Sequence, residues 1–258
     1  MVPPTLLSAL LATATLSLAR TPPGFLPATT ADLIVEYNGV IPLNGIEVPR
    51  NTTIPQPRLG TLTRLPGTSY AVFMIDLDIP TATPPQTSTL LHWLQTGLRP
   101  ATTATRIRSP ATGEELSVFL LENGTAPAAP LVPYFGPNPP ARVPLAHRYV
   151  HLLVDTSGAE AEDLEVLRER ARTGRGFDVG RVLEEADLDD AGEVVAGSWL
   201  VVRNPGPVAN ATASGTAAGT GTALRTAQIK GVETSRRHSR SFIRLTDGNP
   251  LQCCCRQK

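Results

Sequence analysis

The 258-residue chain is 41% hydrophobic with a mean hydropathy of −0.03, enough for a sizeable core and inconsistent with a wholly disordered protein. Its 25 Pro and 21 Gly, set against 5% aromatic residues, exclude a coiled coil or helical bundle and favour short strands with long connections. The zero net charge is a cancellation: residues 1–203 carry 15 Arg and 21 acidic residues (−6), and residues 204–258 carry 8 basic and 2 acidic ones (+6). An acidic domain without a basic and aromatic stripe is not built to wrap nucleic acid.

In chain order, residues 6–18 are apolar or small, and Ser17-Leu18-Ala19 puts small residues where a signal peptidase reads. Residues 1–19 are therefore expected to be a signal peptide cut after Ala19, and the protein to be secreted. The run falls short of the ~20 residues of a membrane span, so no transmembrane segment is expected. Three N-x-[ST] acceptors, Asn51, Asn123 and Asn210, agree with secretion.

A domain is predicted over residues 30–203. Runs at 33–37, 70–76, 90–96, 116–121, 147–155 and 194–202 read as strands, each bounded by Pro, Gly, Asn or Thr. Helical periodicity is confined to 161–172, where Leu164, Leu167 and Ala171 share a face, and to a shorter stretch at 182–188. The connections at 77–89 and 122–146 are long and Pro-rich, and loops of that length usually carry function. Residues 204–224 are Ala/Thr/Gly-rich and read as a linker that does not pack. Beyond them, 225–258 turn basic without periodicity, reading as a disordered tail or a misassigned gene end. The three cysteines, Cys253, Cys254 and Cys255, all lie there, so the domain has no disulfide and depends on its core.

Two junctions concentrate the polar residues. The first runs from Tyr70 to Asp76-Leu77-Asp78-Ile79-Pro80 and on to His92-Trp93. Two carboxylates one residue apart on an extended strand point to the same side and repel unless a cation, a histidine or a donor intervenes. The second is Gly136-Pro137-Asn138-Pro139-Pro140 followed by His147-Arg148-Tyr149-Val150-His151. Strand alternation puts His147, Tyr149 and His151 on one face and Arg148 on the other. Asp76, Asp78, His92 and His147 would also form a plausible nitrogen and oxygen metal set. There is no G-x-S-x-G elbow and no cysteine before position 253 to act as a nucleophile.

Asp76-x-Asp78-x-Pro80, His92-Trp93, Gly136-x-x-Pro139-Pro140 and His147-Arg148-Tyr149, in this order, resemble the phosphatidylethanolamine-binding protein family. The resemblance covers about residues 30–203 and includes Phe177 and Val194-Val195-Ala196-Gly197-Ser198-Trp199. It implies a mainly β fold, with a central antiparallel sheet, a smaller second sheet and peripheral α-helices. It also implies a small anion pocket at the surface, with Asp76, His92, His147 and Tyr149 in its wall and Asp78 and Pro139 beside it. Leu77 stands where the family usually has Pro, Asn138 where it usually has Gly, and the stretch from Pro140 to His147 is one residue longer than in its animal members. The implied function is a monomeric, non-enzymatic binder, without cofactor or metal, of a phosphorylated small molecule or phospholipid headgroup. Inhibition of a serine carboxypeptidase is the alternative. In the pocket, Asp76 is expected to accept from an imidazole whose other nitrogen donates to the ligand.

Overall fold

The computed structural model describes residues 20–108, 113–124, 129–188 and 194–207. The expectations for the signal peptide, for Asn210 and for the basic Cys-containing tail lie outside these residues. Strands are β1 (Ile34–Glu36), β2 (Arg58–Thr61), β3 (Tyr70–Pro80), β4 (Thr87–Pro100), β5 (Thr105–Arg108), β6 (Glu115–Asn123), β7 (Ala146–Asp155) and β8 (Val194–Arg203). Between β7 and β8 come α1 (Ala161–Ala171) and α2 (Val179–Glu185), and a 3-10 turn occupies Arg50–Thr53.

The fold is mainly β and its strand pairs are antiparallel, in the order β1-β2-β6-β4-β3-β7-β8, with β5 also pairing β6. The central sheet is β6-β4-β3-β7-β8. The smaller one, β1-β2, joins it through β6.

The inner strands read as continuous apolar runs because both of their faces are covered. On one face Ala71, Phe73 and Ile75 of β3 and Val150, Leu152 and Val154 of β7 pack with Leu167 of α1 and Val182 and Leu183 of α2. On the other, Tyr70, Val72, Met74, Tyr149 and Leu153 pack with Leu33, Leu59 and Trp93. Helix α1 opens with a reciprocal capping box between Glu160 and Asp163. In α2 the Asp178 carboxylate accepts from the Arg181 amide at 3.2 Å.

All six expected strands and both helices are present, with differences at their ends. β3 and β4 run on through the junction, so the connection expected over 77–89 shrinks to residues 81–86. β2 and β5 escape the sequence pattern because each has four residues and is largely polar or small. Gly60 interrupts β2 for a steric reason: a Cβ there would lie 2.4 Å from a methyl group of Val118 on β6. The expected linker begins packed, since Asn204 donates from its backbone to Leu145 O at 2.8 Å and from its amide to Pro139 O at 2.9 Å.

Candidate ligand site

The site forms where β3, β4 and β7 meet the 134–140 loop. His92 reaches it through a β-bulge. Met74 pairs with Trp93 and Ile75 with Leu91, which leaves His92 as the extra residue of β4. A bulge re-aims side chains locally. The His92 ring therefore sits beside Tyr149 (centroids 5.3 Å, edge-on) and Asp76, which is paired with Tyr149 across β3 and β7.

Asp76 is the hub. Its Oδ2 accepts from His147 Nδ1 at 2.8 Å and lies 3.9 Å from His92 Nε2, and its Oδ1 accepts from the Asp78 amide at 2.8 Å. His147 Nε2 is directed at Pro144 O, 3.1 Å away. This changes the role expected of His147: both its ring nitrogens face protein acceptors, so its second nitrogen does not point at a ligand.

Asp78 is not in the wall. Pairing of β3 with β7 stops at Asp76, and a register irregularity in β3 follows. The Arg148 amide, beyond the end of the ladder, bonds the Asp78 carboxylate instead, and Nε and Nη2 of the same arginine bond it too. Burial alone would raise the Asp78 pKa, but these three bonds outweigh it and hold the carboxyl below its usual range. The expected clash of two carboxylates is avoided because each has its own hydrogen-bond partner, His147 for Asp76 and Arg148 for Asp78. Among the described residues no group of three or more His, Cys, Asp or Glu is placed to hold a metal ion.

Two polar atoms remain. His92 Nε2 and the Tyr149 hydroxyl are buried and without a hydrogen-bond partner among the described residues. Burial lowers the His92 pKa, against the opposing effects of the Phe135 carbonyl and Asp76. Burial, with Asp76 nearby, pushes the Tyr149 hydroxyl far above the usual tyrosine range, and the Asn138 backbone lies near that hydroxyl.

The residues expected to line a surface pocket lie beneath a cover. Asp76, His92, His147 and Tyr149 are each at most 2% exposed. Phe135, half exposed, stacks on His92 at 4.9 Å, and Pro139 is buried beside the exposed Asn138. The cover is tied down at Thr53, whose carbonyl accepts from the Tyr134 hydroxyl at 2.7 Å, and at His92, whose Nδ1 donates to Phe135 O at 2.7 Å. An open cleft of about 380 Å³ lies elsewhere, lined by Leu59, Trp93, Leu98 and Leu121 among others.

Leu77, at the family's usual Pro position, packs against the helix-side core. His151 shares the face of His147 and Tyr149 but is structural: it is fully buried, bonded to the Tyr37 hydroxyl at 3.2 Å, and its pKa is depressed by burial to about 3. Sequence reasoning missed Phe135, the Pro144 carbonyl and the part played by Arg148. Of these only Arg148 left a signal, a basic residue in a β-strand otherwise buried on both faces. Asn51 and Asn123 are exposed.

A profile described as phosphatidylethanolamine-binding protein matches residues 31–197. Phomoidride biosynthesis cluster protein N of Talaromyces stipitatus is 33% identical over 206 residues, covering 73% of this chain and 92% of that protein. Among solved structures, a carboxypeptidase Y inhibitor complexed with its cognate proteinase is 20% identical, covering 68% of this chain and 84% of the other, with a TM-score of 0.44. The phosphatidylethanolamine-binding protein of Plasmodium vivax is 16% identical, covering 67% and 85%, also at 0.44.

Proposed function

Because the chain belongs to the phosphatidylethanolamine-binding protein family, we propose that it is a secreted, non-enzymatic protein whose Asp76, His92 and Tyr149 receive a small anionic group of the phosphate type. The observation that carries this reading is the pair of unpartnered polar atoms, His92 Nε2 and Tyr149 Oη, buried side by side next to Asp76. Leaving two such groups unpaired costs stability, and a ligand oxygen between them would recover it. Arrangement of the histidines supports a binder over a hydrolase: His147 is committed to Asp76 and Pro144 O, and among the described residues no hydroxyl or thiol is hydrogen-bonded to His92 Nε2. His147 and Pro139 serve this reading by holding Asp76 and the cover, and Asp78 by anchoring Arg148.

Secretion rests on the apolar run at 6–18 and Ser17-Leu18-Ala19, with Asn51 and Asn123 as exposed acceptors for N-linked glycans. Among the described residues no helix is long and apolar enough to cross a membrane. The name of the T. stipitatus relative puts that protein in a biosynthetic cluster, which favours a small molecule over a protein partner here as well.

Calorimetric titration with phosphoethanolamine tests the reading. Saturable binding is expected, weakened at least tenfold by His92→Ala, the loss of a hydrogen bond to a charged group being worth roughly 1.5–3 kcal/mol. Equal affinity in the variant would overturn the site. Addition of the protein to a serine carboxypeptidase assay separates binding from inhibition, and no change in peptidase rate is expected.

A further inference from the structure

We propose that this site binds its anion together with one proton, which enters at His92 Nε2, so that the ligand is held as an ion pair with a histidine that is neutral in the free protein. The inference rests on the binding reading above and adds the protonation state in which the site works.

Phe135 O can only accept, so His92 Nδ1, 2.7 Å away, carries a hydrogen. A neutral ring with its proton on Nδ1 presents a lone pair at Nε2, the atom left without a partner. A ligand oxygen brought to hydrogen-bond distance of that lone pair would be repelled. A proton on Nε2 turns the same atom into a charged donor.

Among the described residues, the other groups facing His92 are engaged elsewhere. From β7, His147 turns its two ring nitrogens to Asp76 Oδ2 and Pro144 O and offers neither to a ligand at His92. Two residues on, His151 Nε2 is bonded to the Tyr37 hydroxyl. Tyr149 offers one hydroxyl. From β3, Asp76 lies 3.9 Å from Nε2, too far to bond it in the free protein but near enough to favour its protonation. Arg148 spends its charge on Asp78. From the loop, Phe135 contributes a carbonyl and a ring. In the free protein, burial lowers the His92 pKa and so favours the neutral ring. An anion at Nε2 compensates that burial, and the proton enters with it.

The probe is dimethyl phosphate, whose single charge does not change between about pH 5 and 8, titrated calorimetrically into the full chain at pH 7 in buffers of different ionisation enthalpy. The expected result is uptake of close to one proton per anion bound, with affinity falling up to about tenfold for each pH unit above neutrality. In His92→Gln, proton uptake should vanish and the remaining affinity should be flat with pH. Binding to the wild type without proton uptake would overturn the proposal and leave the binding reading standing. No binding at any pH in that range would overturn both. Sedimentation with phosphatidylethanolamine-containing vesicles tells the two sources of the anion apart. Co-sedimentation that strengthens on acidification supports the proposal with a lipid-borne headgroup, and dimethyl phosphate bound with proton uptake but no co-sedimentation supports it with a soluble anion.

Discussion

Arg148 holds Asp78 through its backbone amide (2.9 Å), Nε (2.8 Å) and Nη2 (2.7 Å), all on one carboxylate. Asp78 is 7% exposed, whereas the arginine side chain is 41% exposed, so most of the burial cost falls on the acid. Arg148→Ala would leave that acid with a single backbone donor. The expected loss is roughly 2–3 kcal/mol by urea denaturation. Arg148→Lys should recover only part of it, because an ammonium cannot reproduce the fork. A variant as stable as the wild type would show that the three bonds contribute nothing net.

Tyr149 invites the opposite prediction. Its hydroxyl is buried near Asp76 and the Asn138 backbone but makes no hydrogen bond of good geometry among the described residues, and such a group costs about 1–3 kcal/mol. Tyr149→Phe should therefore be at least as stable as the wild type, while binding phosphoethanolamine more weakly. Thermal denaturation and calorimetry on the same samples read both. A clear drop in the thermal midpoint would mean that the hydroxyl is bonded in the folded protein.

Acid should destabilise the fold in two stages. His92 and His151 have pKa values lowered by burial, that of His151 to about 3, so below about pH 6.5 the unfolded chain binds protons that the folded one does not. Stability is full above that value and falls with decreasing pH at up to about 1.4 kcal/mol per unit for each histidine. The depressed carboxyl of Asp78 is shifted in the same direction but acts at lower pH: its contribution is present above the usual carboxylate range near 3.9 and is lost as pH falls through its lower folded value. Urea midpoints from pH 7 to 4 should decline in the wild type and more shallowly in His151→Gln. Parallel slopes would exclude His151 as a source of the first stage.

Gly136 sits where the cover touches the 3-10 turn. A Cβ there would lie 2.7 Å from Thr53 O, the carbonyl that also receives the Tyr134 hydroxyl. Gly136→Ala should push the 134–140 loop outward, loosen the Phe135 carbonyl from His92, and cost about 1–3 kcal/mol of overpacking strain. Weaker phosphoethanolamine binding is expected with it. Unchanged stability and affinity would show that the loop yields without disturbing His92.

The sequence by itself determined six of the eight strands and both helices, because the long apolar runs at β3 and β7 and the Leu164, Leu167 and Ala171 face of α1 are local patterns that each depend on a few neighbouring residues. It also located Asp76, His92, His147 and Tyr149, through four short motifs in a fixed order. Only the tertiary structure decided what each of them does. A one-residue bulge, which no local pattern signals, turned His92 towards Tyr149. The end of the β3 and β7 ladder at Asp76 gave Asp78 to Arg148. A carbonyl from the distant 134–140 loop fixed the proton on His92, and Pro144 O took up the nitrogen of His147 that the motif alone would have left for a ligand. Hydrogen-bond partners and desolvation are set by groups far apart in sequence, and so the chemistry of the site is written in the packing.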